Sequence, residues 1–431
     1  MKALISLGLL AALGCALSVD NLPPYESYAG HQVISIKTSA EQHEQALLNL
    51  TSDERLRGLD FWKEPNRIGE AVDLRVTPDH KPIIDAFLAE HGLEYEIKLQ
   101  DLGYIIQQEK ARLARRRVFR NGNQPSDLTL NEFHNLQEIF AYLSSVAKAF
   151  PRKASIFSIG KSHRGRDIRG LKIGNPGSNK KSAFIHGCLH SREWIGCATM
   201  LYIINELTQN AQQYQSLLDT LDIYIVPVAN PDGYEVTWGN QRMWRKTVSG
   251  PYGAWQCYGV DPNRNFDFKF KTSGYSNSPC DETYAGPRPF SEVESKAIAN
   301  FLDNHKSSLK AYVDVHSYSE LFMYPYGYAR TYPKNIASLR SVAERATNAI
   351  NEVNGADFRQ GTIVDIIYPA SGSTVDYAKG VSGIPYTYAL ELRPNRNSPY
   401  GFIVDFSQII PGARECWAGL QVVLSAAAGG R

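Results

Sequence analysis

Apolar residues are spaced along this chain in three ways. Residues 3–16 are almost continuously apolar, broken only by Ser6, Gly8 and Gly14, with Lys2 ahead of them. Residues 28–108 alternate short apolar runs with polar stretches, and from about residue 128 the apolar runs lengthen and take turns with stretches of helical spacing. Within 28–108 the pattern predicts strands at 31–36, 71–76 and 95–99, the last with Tyr95, Ile97 and Leu99 on one face, and helices at 40–50 and 80–90. Strands and helices in that order predict a small α+β open sandwich. Beyond 128 the spacing predicts helices over 133–150, 195–209, 291–305, 335–353 and 410–424, and buried strands over 183–187, 221–228, 311–316 and 386–392. Such a sequence makes an α/β domain with a mixed, mostly parallel sheet flanked by helices. Sheets of this kind place ligands beyond the carboxyl ends of their strands.

A chain of 431 residues fits two domains better than one. The 46 basic and 44 acidic residues leave a formal charge of +2, which argues against a nucleic-acid binder. The run at 3–16 is shorter than the ~20 residues that span a bilayer, and it ends near the small residues Gly14 and Ala16. It predicts a secretory signal at 1–18 and no membrane partner. The small domain then occupies 19–111 and the large one 126–431. Between them, 112–125 carries Arg112, Arg115, Arg116, Arg117 and Arg120 before turn-forming residues. A basic run of that kind predicts an exposed, mobile linker cut after arginine by a trypsin-like protease.

Secretion suits the cysteines. Cys15 leaves with the signal, and five remain, so at least one is unpaired unless it bridges to another chain. Cys257 and Cys280 bracket a Gly-, Asn- and Pro-rich stretch and are expected to form a disulfide, whereas Cys188, Cys197 and Cys416 are expected to be inert buried thiols. Asn49, Leu50 and Thr51 form a glycosylation sequon.

The strand at 183–187 runs into His190, Ser191, Arg192, Glu193 and Trp194. His190 and Glu193 lie three apart, so on a helical turn they point the same way and offer two ligands for zinc. Alone the pair is weak evidence, because most such pairs are solvated turns. His316 ends the apolar strand 311–315. A lone strand-end histidine is usually a hydrogen-bonded core residue, but beside the first pair at the same sheet edge it becomes the third ligand. Two histidines and a glutamate leave a fourth tetrahedral position open for water, the mark of a catalytic site.

Together with Arg245, Asp261, Asn263, Arg264, Tyr318, Tyr368 and Glu391 in their local motifs, these residues resemble the pancreatic-type zinc metallocarboxypeptidase zymogens of the A/B group, from about residue 25 to the C-terminus. That resemblance implies a prodomain ahead of the enzyme, secretion into a digestive lumen, and action on the C-termini of peptides and proteins. It implies one Zn2+ per chain held by His190, Glu193 and His316, the ligand set known from carboxypeptidase A. It makes Glu391 the general base and Arg245 the oxyanion donor, although a surface charge within 242–246 is the plainer reading of Arg245. Asn263 and Arg264 clamp the terminal carboxylate, since a planar guanidinium matches a carboxylate with two parallel bonds. Tyr368 closes over the bound residue from a mobile Gly/Ser-rich segment at 370–373. Asp261 orients His190, and Arg192 and Tyr318 touch the peptide further from its end. His186, inside a strand, is left as a core residue.

The same resemblance sets Val375 at the base of the side-chain pocket, with Ile363, Ile367, Gly327 and Ala389 around it. A basic-residue enzyme needs an acid at the first of these positions, so the pocket is expected to take apolar or aromatic ends. Ala389, smaller than the hydroxyl residue usual there, makes room for bulky aromatics. Two departures count against a simple match. Asp365 near the pocket keeps Lys/Arg specificity open, and Asp314 stands where a small hydroxyl residue is common. A non-catalytic peptide-binding relative is the other alternative, yet no expected ligand or base is missing.

Overall fold

A computed structural model describes residues 27–50, 53–65, 68–119 and 128–430. The signal at 1–18, Thr51 of the sequon and linker residues 120–127 lie outside the described residues.

The small domain is built from β1 (Gln32–Ile36), α1 (Glu41–Leu50), β2 (Asp60–Lys63), β3 (Val72–Val76), α2 (Lys81–Glu90) and β4 (Tyr95–Leu99). Its sheet has the order β2-β3-β1-β4, and every pairing is antiparallel. Strand alternation sorts the side chains. Ile34, Ile36 and Leu74 face one way and form a core with Leu47 and Leu50 of α1 and Ile84 and Leu88 of α2. Val33, Trp62 and Leu99 face the other way and join Met243, Tyr318 and Phe402 of the large domain. The sandwich is therefore open on one side, and the large domain covers that side.

The chain leaves the small domain through α3 (Leu102–Phe119). The basic run from residue 112 continues this helix as far as Phe119, a backbone shape that its charge does not specify. Arginine is a good helix former, and tertiary partners anchor the segment. Glu109 accepts bonds of 2.6 and 3.2 Å from buried Arg242, and Arg112 pairs with Asp405.

The large domain continues with α4 (Leu136–Ala149), β5 (Ala154–Lys161), β6 (Asp167–Ile173), β7 (Lys181–Gly187), α5 (Trp194–Gln209), α6 (Gln215–Thr220), β8 (Leu221–Val226) and α7 (Pro231–Trp238). After a long irregular stretch come α8 (Val293–His305), β9 (Leu309–Ser319), β10 (Leu321–Tyr324), α9 (Ile336–Asn354), β11 (Arg359–Thr362), α10 (Ile363–Ile366), α11 (Thr374–Gly380), β12 (Tyr386–Asn395) and α12 (Ile409–Ala428). The eight strands order as β11-β10-β12-β9-β7-β8-β6-β5. The centre, β12-β9-β7-β8, is parallel, as is β10-β11, and the remaining pairs are antiparallel. Helices cover both faces. Ala311, Val313 and Val315 of β9 share a core with residues of α5, α9 and α12. Tyr312 shares the opposite core with residues of α8 and α11.

A candidate metal centre with a cleft for a peptide end

Register sets up the site. In the parallel ladder between β12 and β9, Ala389 stands opposite Asp314 and Glu391 opposite His316. In the ladder between β7 and β9, His186 stands opposite Asp314. Side chains two apart on a strand share a face, so His186, Asp314, His316, Ala389 and Glu391 all lie on the α8/α11 side of the central strands. His190 and Glu193 follow directly from the end of β7 as the chain turns into α5.

The ligand atoms of His190, Glu193 and His316 all lie within 4.8 Å of one another, and all three residues are buried. Nδ1 of His190 is 2.9 Å from Oε1 of Glu193, and Nδ1 of His316 is 2.9 Å from Oε2. The far nitrogen of each ring also faces a carboxylate. Nε2 of His190 is 3.0 Å from Oδ1 of Asp261, and Nε2 of His316 is 2.9 Å from Oδ2 of Asp314. A metal-bound histidine normally donates its other N–H to such a group, which fixes tautomer and ring orientation. Two Nδ1 atoms and a carboxylate turned toward one point, each ring tied behind, fit a divalent cation of the zinc type.

The electrostatics agree. Burial alone would raise Glu193, but the two imidazoles outweigh it and hold the carboxyl down to about 2. Burial disfavours a charged His316, yet Asp314 and Glu193 push it well above the usual imidazole range. The same concentration of negative charge favours a cation between the rings.

Asp261 ties the centre to its surroundings. Besides facing His190 it accepts from Arg245 Nη2 at 2.8 Å and from the backbone N–H of Asn263 at 2.9 Å. Burial works against its charge, but Arg245, His190 and Arg264 together hold it well below the carboxylate range. Arg245 is therefore a buried, paired guanidinium rather than a surface charge. Glu391 is half-buried, and its buried Oε2 has no hydrogen-bond partner among the described residues. Burial pushes it up to about 8, with His316 pulling it down and Glu193 pushing it up. Arg393, two residues along, is paired with Glu415 and not with Glu391.

Arg264 is 2% exposed. Its Nε donates to Gly274 O at 2.6 Å and its Nη2 to Tyr368 Oη at 3.2 Å. The segment 370–373, which follows Tyr368, is packed into the domain. Its residues are buried, and Ala370 and Ser371 donate backbone bonds to Gly327 and Ser273 at 2.9 and 3.0 Å. Gly372 has φ +69°, and a Cβ there would sit 2.4 Å from Arg264 O, so the chain needs glycine to pass. Asn263 Oδ1 accepts from Thr374 N–H at 2.9 Å, which joins the carboxylate side of the cleft to the start of α11.

Val375, Ile363, Ile367 and Ala389 line the cleft that contains His190, Glu391 and Arg264, together with Met323 and Ile366, which the sequence did not single out. Asp365 is not among the lining residues. Its carboxylate accepts from Thr362 Oγ1 at 2.5 Å and faces Arg330 at 3.4 Å. The irregular stretch before α8 holds the disulfide Cys257–Cys280, and Cys188, Cys197 and Cys416 are free and buried.

The sequence places the small domain over the cleft but did not single out the residues of that domain that reach it. Asp60 of β2 binds Arg192 Nη1 at 2.8 and 2.9 Å, and Trp62 meets Tyr318 edge-on at 6.5 Å. Glu64 lines the cleft as well. An acid beside tryptophan in a short strand was the available signal, but it means nothing until the two domains are docked.

The zinc carboxypeptidase family matches residues 139–419, and the carboxypeptidase activation peptide matches 34–109. Rat carboxypeptidase A2 and human carboxypeptidase A1 are each 38% identical to this chain, covering 93% of it and 94% of their own length. The crystal structure of carboxypeptidase A from Helicoverpa armigera superposes with a TM-score of 0.87 at 31% identity, over 94% of this chain and 99% of that one.

Proposed function

Because this chain belongs to the zinc carboxypeptidase family and carries that family's activation peptide, we propose that the mature enzyme removes apolar and aromatic residues from the C-termini of peptides and proteins. The enzyme is a zinc hydrolase made as a zymogen. The apolar floor formed by Val375, Ile363, Met323 and Ala389 beside the buried guanidinium of Arg264 carries the specificity reading. A floor without an acid leaves a lysine or arginine side chain uncompensated. Asp365, the acid that the sequence sets near the pocket, is engaged with Thr362 and Arg330. Ala389 leaves room for a large aromatic side chain.

His190, Glu193 and His316 are the residues that would hold the zinc. The ion, when bound, supplies Lewis acidity to a carbonyl and lowers the pKa of water. In this reading the rest falls to the chain. Arg264 and Asn263 receive the terminal carboxylate, which restricts cutting to chain ends, because an internal bond would leave the buried guanidinium unpaired. Tyr368, already 3.2 Å from Arg264, closes over the bound residue. Arg245 donates toward the oxygen on which charge develops. Glu391 takes a proton from water and returns it to the leaving amine. A pKa raised by burial suits both halves of that task, and a nearby dication draws it back toward neutrality.

Arg192 and Tyr318 contact the peptide upstream of the cut. Both are engaged by Asp60 and Trp62 of the activation domain, which supports release of that domain by a trypsin-like protease acting in the basic run near Arg112–Arg120. Secretion into a digestive lumen follows from the same reading. The test is amino-acid release from a mixed peptide pool by uncut and trypsin-treated protein, with and without chelator. We expect Phe, Tyr, Trp and Leu, released after trypsin and lost with chelator. Release of mainly Lys and Arg would reject the specificity, and full activity in uncut protein would reject the activation step.

A further inference from the structure

We propose that Asp314 is a positioning residue of the metal centre, orienting His316 as Asp261 orients His190, so that both imidazole ligands are held from behind by a buried carboxylate. This rests on the zinc-enzyme reading above.

The geometry is nearly symmetrical. The two ring-to-acid distances are 3.0 Å for His190 Nε2 to Asp261 and 2.9 Å for His316 Nε2 to Asp314. Asp314 and His316 are two apart on β9 and share its face, so the strand itself fixes the acid behind the ring. Both are almost fully buried, at 0% and 2% exposed.

A fully buried carboxylate is costly unless several partners compensate it. Asp314 has three. His316 faces Oδ2, and Thr374 Oγ1 donates to the same oxygen at 2.5 Å. Oδ1 faces His186 Nδ1 at 3.3 Å, and neither of those atoms has a hydrogen-bond partner among the described residues. His186 Nε2 is in turn 2.7 Å from Tyr312 Oη. His186, which sequence alone left as a plain core residue, thus belongs to the setting of this acid. The arrangement also has a reach. Thr374 opens α11, and its backbone N–H is held by Asn263, so Asp314 links a metal ligand to the wall that carries Val375.

The mechanism is one of orientation. With Nδ1 turned to the ion, the remaining ring proton sits on Nε2, and an anionic acceptor there selects that tautomer and strengthens the ligand. A neutral hydroxyl at position 314 would withdraw the anionic acceptor and leave Asn263 Nδ2, 3.3 Å from Nε2, as the remaining polar neighbour behind the ring.

The experiment uses the full-length chain, stripped of metal and reloaded with zinc in competition with a chromophoric chelator. Wild-type binding of one zinc tests the family reading, and the ratios between variants test this inference. Asp314→Ser should weaken zinc binding about 10–100-fold, and Asp314→Asn, which keeps an acceptor oxygen, should fall between it and wild type. Thr374→Val removes the hydroxyl but keeps the acid behind His316, so its affinity should stay near wild type. Wild-type affinity in Asp314→Ser, or an equal loss in Thr374→Val, would overturn the proposal, since the acid would then serve only to pin α11. If Asp314→Ser does not fold, Asp314→Asn loaded with cobalt decides. A changed visible spectrum with weaker retention supports the proposal, and an unchanged spectrum with wild-type retention rejects it.

Discussion

In the proposed reading, the two methyls of Val375 decide which C-terminal residue the pocket accepts. The side chain is 1% exposed, at the first turn of α11, and lines the cleft together with Ile363, Met323 and Ala389. An acid placed there would be buried beside Ile363 and Ala389, and only a cationic ligand could compensate it. Val375→Asp is therefore expected to lower kcat/KM for a Phe-ending peptide by about 100-fold or more, and to raise it for the matching Arg-ending peptide. Paired kinetics on those two substrates check this. If neither value moves, the pocket is not where the specificity is set. The residues proposed to bind and react could be named from the sequence mainly because their local motifs resemble a known family's, and the fold brings them into one cleft. The partners of those residues were less legible. Asp314 was visible only as a departure from the family pattern, because its meaning depends on His186 and Thr374, which the ladder and the fold bring to it.

Elements with strong periodicity were readable and short ones were not. The helix read at 133–150 is α4, trimmed to Leu136–Ala149 by a signal that the sequence does contain. Asn135 Oδ1 accepts from Glu138 N–H at 2.9 Å, and Glu138 Oε2 accepts from Asn135 N–H at 3.1 Å. This capping box starts the helix two residues after Phe133, which is buried outside it. Asn135→Ala should cost about 1 kcal/mol in urea unfolding of the folded chain, and a change under about 0.3 kcal/mol would mean the box contributes nothing here. Strands β2, β10 and β11 escaped the sequence reading because each has only four residues, too few to show a period. β5 and β6 escaped for another reason. β5 is the edge strand, where exposed residues interrupt the buried ones, and β6 beside it mixes half-buried polar residues with its apolar ones. The basic run from Arg112 showed its exposure, since Arg112 is 54% exposed, but not its helix, because charge predicts solvent contact and says little about backbone shape.

For the whole molecule, the question is what keeps the precursor closed. The open face of the small sheet lies over the cleft, and three of its residues reach in. Asp60 holds Arg192, Trp62 meets Tyr318, and Glu64 sits among the charges that would receive a substrate. Glu64 feels two opposed effects. Arg264 and Arg245 favour its anion, while burial, helped by Asp60 and Asp281, favours its neutral form. Burial wins and pushes the carboxyl up to about 7, against 4.5 for an exposed glutamate. A docked-state pKa raised in this way means that docking is strongest below 4.5 and weakens as pH rises through about 7. The activity of uncut relative to trypsin-cut protein on a short peptide should therefore climb across that window. Taking the ratio at each pH cancels the titration of the catalytic groups common to both forms. Glu64→Gln carries no proton to lose, so its ratio should stay low and flat, with the Asp60–Arg192 pair still in place. A flat ratio in the wild type, or a Glu64→Gln curve that climbs as steeply as the wild type, would show that Glu64 does not govern closure. The weight would then fall on Asp60 and Trp62.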